Sequence, residues 1–122
     1  MNLIVDIGNT FIKVAQFEHG NCIDIERFKD QRLFLEYSSS LSVNNAIISS
    51  VREKTIIKML GNKFDQALVL NHTTALPISN LYHTPETLGN DRLANAVGAF
   101  SAFPNQNTLT IDVGTCIKFD FI

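Results

Sequence analysis

Leu3-Ile4-Val5-Asp6-Ile7-Gly8-Asn9-Thr10-Phe11-Ile12-Lys13 is an apolar, β-branched run that closes on an aspartate, turns on a glycine and resumes as a second apolar run ending in lysine. The chain nearly repeats it as Leu109-Thr110-Ile111-Asp112-Val113-Gly114-Thr115-Cys116-Ile117-Lys118. Two occurrences of strand, Asp-x-Gly turn, threonine and strand read as two copies of one device around a shared site. Taken singly, a Gly-Asn turn is an ordinary hairpin connection. Its recurrence favours a phosphate-binding sense. Glycine lets the backbone turn tightly, turn N–H groups point at an anion, the threonine hydroxyl adds a donor, and the aspartate can hold a cation. Lys13 either reaches solvent or brings a cation to phosphate oxygens.

Outward from the first unit, residues 3–7 read as a buried central strand and residues 11–17 as its hairpin partner. A turn at Gly20-Asn21 leads to an outer strand over residues 22–28. Leu33, Phe34 and Tyr37 fit a short helix, ended by the serines at 38–40. Ala46-Ile47-Ile48 reads as a fourth, buried strand. Residues 53–60 suit a helix with Ile56, Ile57 and Leu60 on one face, and residues 67–70 a short strand. Residues 71–86 are polar and interrupted by Pro77 and Pro85. The clearest helix follows, with Leu93, Ala96, Val97 and Phe100 at helical spacing until Pro104. Three hairpin-connected strands followed by alternating helices and strands predict a mixed α/β sheet. The expected organisation is one domain over residues 1–107 and the first hairpin of a second, cut short, over residues 108–122.

Composition narrows the function classes. The 122 residues are 45% hydrophobic and 18% charged, an ordinary globular balance. A net charge of −2 gives no basic field for nucleic acid or an anionic membrane. No apolar run approaches the ~20 residues of a membrane span. The N-terminus has no secretory-signal pattern, and Cys22 and Cys116 have no ligand-type spacing, so a cytoplasmic protein with reduced thiols is expected.

The second chemistry-bearing stretch is Pro85-Glu86-Thr87-Leu88-Gly89-Asn90-Asp91-Arg92-Leu93-Ala94-Asn95-Ala96. Read as a helix start, Asn90 would be the N-cap and Asp91 would sit favourably at the positive helix end. Arg92 does not fit that account, because a cation in the first turn opposes the helix dipole. It calls for an anionic partner, either a protein carboxylate or a ligand bound by the guanidinium fork. Asp91 could accept a proton from a substrate hydroxyl, as a weak base. His19, His72 and His83 lie in loops without metal spacing, and Phe100 and Phe103 read as packing.

In order and spacing, the Asp6–Lys13 loop, Ser49-Ser50-Val51, the Leu88-Gly89-x-Asp91-Arg92-x-Ala94-Asn95-Ala96 block and Asp112-x-Gly114-Thr115 resemble type III pantothenate kinase. The resemblance covers essentially the whole chain. It implies the acetate and sugar kinase, actin and heat-shock ATPase fold, whose first domain is ribonuclease H-like. The activity implied is ATP-dependent phosphorylation of pantothenate to 4′-phosphopantothenate, the first step of coenzyme A biosynthesis. Asp6, Ile7, Gly8, Asn9, Thr10, Phe11, Ile12 and Lys13, with Thr115, would hold ATP, with Asp6 near magnesium. Tyr82, Gly89, Asn90, Asp91 and Arg92 would hold pantothenate, Asp91 serving as proton acceptor. Asp112 would bind the monovalent cation, potassium or ammonium. Cys116 and Lys118 depart from the alanine and threonine of many relatives. Family members continue beyond residue 122, so the 122 residues alone are expected to lack turnover. Their apolar segment 109–122 is expected to pack back or pair in a homodimer. A noncatalytic regulatory relative, an accessory transcription factor on the same fold, is the alternative reading.

Overall fold

A computed structural model describes residues 1–51, 60, 63–64, 66–114 and 116–122. Of the helix expected over residues 53–60 all but Leu60 lie outside the described residues, as does Thr115. The chain forms two compact units, Met1–Leu70 and Asn71–Ile122.

The first unit is a five-stranded mixed sheet with one helix among its described elements. Strands β1 (Asn2–Ile7), β2 (Ile12–Glu18) and β3 (Asn21–Phe28) form an antiparallel meander. After helix α1 (Gln31–Ser39), strands β4 (Asn45–Ser50) and β5 (Ala67–Val69) add in parallel to the other side of β1. The spatial order is β3-β2-β1-β4-β5. Alternation sends Leu3, Val5 and Ile7 of β1 into a core with Ile12, Val14, Phe34, Ala46, Ile48, Leu60 and Phe64.

Two sequence expectations change here. β1 is central but covered on one face only: Ile4 stays 38% exposed, in register with Ile47 at 43%, which pairs in turn with Leu68. An unbroken apolar run does not distinguish a strand buried on both faces from one buried on one. The β2–β3 turn falls one residue early, at His19-Gly20, both at positive φ (51° and 83°). That matches the twist of a tight two-residue hairpin. The serine run ends α1 as expected, with Ser40 as its C-cap. The helix runs through Ser39, with Ser38 fully buried. Lys63 Nζ donates to Ser38 Oγ (2.9 Å), Ser39 Oγ (2.7 Å) and the Leu35 carbonyl (3.3 Å), placing a cation at the negative helix end. β3 is the outer strand expected, and its exposed charges suit an edge.

In the second unit a 3₁₀ turn (Pro85–Thr87) precedes helix α2 (Asn90–Ala102) and the antiparallel hairpin of β6 (Leu109–Val113) and β7 (Ile117–Phe121). Thr108 and Ile122 exchange backbone hydrogen bonds of 2.9 and 2.8 Å at its open end. Of the expected apolar face of α2, only Leu93 is fully buried, and Phe100 stays 38% exposed.

Candidate active site

In both Asp-x-Gly loops the glycine amide bonds to a carbonyl just ahead of the second strand. Gly8 N–H donates to the Phe11 carbonyl (3.0 Å), and Gly114 N–H donates to the Cys116 carbonyl (3.1 Å). Both glycine amides thus help to shape their loops. Gly8 lies close to its own loop: a Cβ there would stand 3.3 Å from the Phe11 carbonyl oxygen, a tight approach. Both hairpins also place the aspartate opposite the lysine, Asp6 across from Lys13 and Asp112 across from Lys118.

In the first unit the Lys13 ammonium stands 3.7 Å from Asp6 in a solvated pair. Beside Asp6 in register is Ser49, whose buried hydroxyl has no hydrogen-bond partner among the described residues. One accessible carboxylate at a strand end fits magnesium, which keeps several waters and takes few protein ligands. Among the described residues, no group of three or more His, Cys, Asp or Glu gathers to hold a metal by itself.

The second unit holds the tighter constellation. Residues two apart on a strand share a face, so β7 presents Lys118 and Asp120 together, opposite Asp112 and Thr110 of β6. The N-terminus of α2 supplies Asp91 and Arg92. Its cap is Gly89 rather than Asn90 and makes no side-chain capping bond. Instead Asp91 Oδ1 accepts from the Arg92 backbone N–H at 2.9 Å. A Cβ at Gly89 would collide with that carboxylate oxygen.

Arg92 Nε donates to both oxygens of Asp120 (3.0 and 3.1 Å), Nη2 donates to Asp120 and to the Phe119 carbonyl (3.4 Å), and the guanidinium lies 5.0 Å from the centre of the Tyr82 ring. Of the two partners the sequence leaves open for Arg92, the fold supplies a protein carboxylate. Lys118 Nζ donates to Asp91 Oδ2 and lies 3.3 Å from Asp112 Oδ2. Burial works to raise the Asp91 carboxyl, but the Lys118 ammonium and the Arg92 amide outweigh it and hold it below the ordinary range. The Asp91 hydrogen bond raises Lys118 against its own burial, and Asp120 does the same for Arg92. A cavity of about 550 Å³ opens beside this cluster, lined by Tyr82, Arg92, Leu93, Phe119 and Asp120 among others.

Tyr82, Gly89, Asp91 and Arg92 of the expected substrate set thus gather at one helix start, and Asn90 is the first residue of that helix. Lys118 and Asp112 join them through the hairpin. Asp120 was missed from sequence, although the alternation Ile117-Lys118-Phe119-Asp120-Phe121 already sets it beside Lys118.

A hairpin-led mixed sheet in the order 3-2-1-4-5, with an Asp–Gly loop at the end of its central strand, is the first domain of an actin-like ATPase fold. The family profile for type III pantothenate kinase matches residues 2–122, so the chain belongs to that family. Type III pantothenate kinases of Bacteroides fragilis, Cytophaga hutchinsonii and Flavobacterium johnsoniae are 40%, 38% and 37% identical to it. Each of those matches takes in 100% of this chain and 52% of the relative. The chain thus spans about half the length of the curated relatives it matches. No helix among the described residues is long and apolar enough to cross a membrane.

Proposed function

We propose that this chain supplies the nucleotide loop and the substrate helix of a cytoplasmic kinase that moves the γ-phosphoryl group of ATP to the primary hydroxyl of pantothenate. The product is 4′-phosphopantothenate, which enters coenzyme A synthesis. The observation that carries the reading is the Gly89-Asn90-Asp91-Arg92 helix start, set with Tyr82 beside a cavity, in a chain matched by the family profile over its length.

Asp6 to Lys13 and Thr115 bind ATP, and Asp6 is the residue that would hold magnesium, whose bound ion neutralises charge on the phosphates. Gly8 keeps the loop open to a ligand. Tyr82, Gly89, Asn90 and Arg92 orient pantothenate, with the Asp120-braced guanidinium holding the wall of the pocket. Asp91 takes the hydroxyl proton. Its low pKa suffices, because phosphoryl transfer rests on positioning and charge neutralisation more than on a strong base.

The resemblance also gives Asp112 a free potassium or ammonium ion. The residues fit that ion poorly, since the Lys118 ammonium already stands between Asp112 and Asp91. The same clamp on Asp91 is the one observation that favours a noncatalytic regulatory relative. We also propose a homodimer. Its support is the hairpin face formed by Leu109, Ile111, Val113, Ile117, Phe119 and Phe121, each more than half exposed.

Mass spectrometry on the protein carrying this chain, supplied with labelled pantothenate, ATP and magnesium, tests the catalytic reading. ATP-dependent labelled 4′-phosphopantothenate is expected. Nucleotide binding without product supports the regulatory relative.

A further inference from the structure

We propose that Lys118 is a built-in monovalent cation: its ammonium, tethered through β7, takes the place of a free potassium or ammonium ion between Asp112 and Asp91. This inference rests on the kinase reading for its consequence, but its physical basis is independent of turnover. An ammonium head is chemically the ammonium ion itself, with one positive charge and N–H donors for carboxylate oxygens. Lys118 lies 3.3 Å from Asp112 Oδ2 while donating to Asp91 Oδ2. Its side chain is only 29% exposed, so the head lies within the cluster and not out in solvent.

The backbone enforces this placement. Asp112 and Lys118 are directly opposed in the β6–β7 ladder, so their side chains leave the same face about 5 Å apart. The first hairpin provides an internal control. There Lys13 faces Asp6 in the same register, yet the pair is looser, at 3.7 Å, and Lys13 stays 58% exposed. Cross-strand pairing alone therefore gives a solvated contact. The second hairpin differs because α2 adds Asp91, and two carboxylates then hold one ammonium. A free cation at Asp112 would have to displace that ammonium and leave it without its counter-charges, which like-charge repulsion opposes.

Lys118 is accordingly a positioning residue. It holds the Asp91 carboxylate against the hairpin and leaves the three-group cluster with one net negative charge, as a bound ion would. Asp120 is not available to it, being engaged by Arg92.

Thallium NMR and melting in potassium against choline chloride at equal ionic strength read the site without requiring turnover. The wild-type protein is expected to bind no thallium at this site and to melt at the same temperature in both salts. Lys118→Ala, which opens the space, is expected to gain one thallium site competed by potassium, with stability and any kinase activity becoming potassium-dependent by about tenfold in the underlying equilibrium. A wild-type thallium site that disappears in Asp112→Asn, or a Lys118→Ala protein that gains none, overturns the proposal.

Should Lys118→Ala fold too poorly to titrate, the wild type decides by nitrogen-15 NMR of lysine side chains. One slowly exchanging ammonium signal, unchanged between choline and potassium, supports the tethered cation. Its collapse on adding potassium contradicts it. Loss of kinase activity under all salts, with these binding results intact, removes the kinase reading and leaves the Lys118 assignment standing.

Discussion

Asp91 sits between opposing influences: burial favours its neutral form, and the Lys118 ammonium with the Arg92 amide favours the charged one. The second wins, so its folded pKa lies below its ordinary 3.8. A depressed carboxyl stabilises the fold above the unfolded value and loses that contribution as pH falls through the folded one. The stability gap between wild type and Lys118→Met should therefore hold down to about pH 4 and close below it. Far-UV circular dichroism reads this, because the chain has no tryptophan. A gap that persists unchanged in strong acid would show that Lys118 acts through packing instead.

Arg92 and Asp120 are the other residue-scale pair, with side chains only 22% and 18% exposed. Removing either leaves its partner largely buried and unpaired, which costs about 1–3 kcal/mol. Urea melts of Arg92→Ala, Asp120→Ala and the double variant should show losses that do not add. Strict additivity would mean the contact contributes nothing specific. The sequence marks Arg92 as needing an anion, through its unfavourable place in the helix. It does not say which anion, because a partner 28 residues away is fixed only by the fold.

At the scale of elements, the strands, helices and hairpins were readable, and the order in which β4 and β5 join the sheet was not. Alternation and β-branching place the seven strands among the described residues, and helical spacing places α1 and α2. What escaped follows from tertiary context. A one-sided β1 and a two-sided one carry the same apolar letters. The α2 cap falls at Gly89, and the Asp91 carboxylate accepts from the Arg92 amide, which also donates to the Gly89 carbonyl. Asp30 caps α1 by accepting from the Arg32 amide at 2.7 Å. Asp30→Ala should lower stability by about 1 kcal/mol with the denaturant slope unchanged. An unchanged urea midpoint would mean that another group satisfies that amide.

At the scale of the whole molecule, the second unit has a hairpin of uneven character. Its Thr110, Asp112, Lys118 and Asp120 face is half-buried, while its apolar face is more than half exposed. An apolar face of this kind suits contact with other protein surface, which in the homodimer proposed above is a second copy. Sedimentation should show a dimer that Phe119→Glu with Phe121→Glu dissociates. A monomer at all concentrations would remove the homodimer.

In the proposed reaction Asp91, set at a helix start and held by Lys118, takes the pantothenate proton during phosphoryl transfer. Steady-state turnover of Asp91→Asn in the protein carrying this chain tests it most directly. A fall of ~10²–10⁴-fold in kcat is expected, with a much smaller change in KM for pantothenate. Turnover within a few-fold of wild type would show Asp91 to be a structural partner of Lys118 and nothing more.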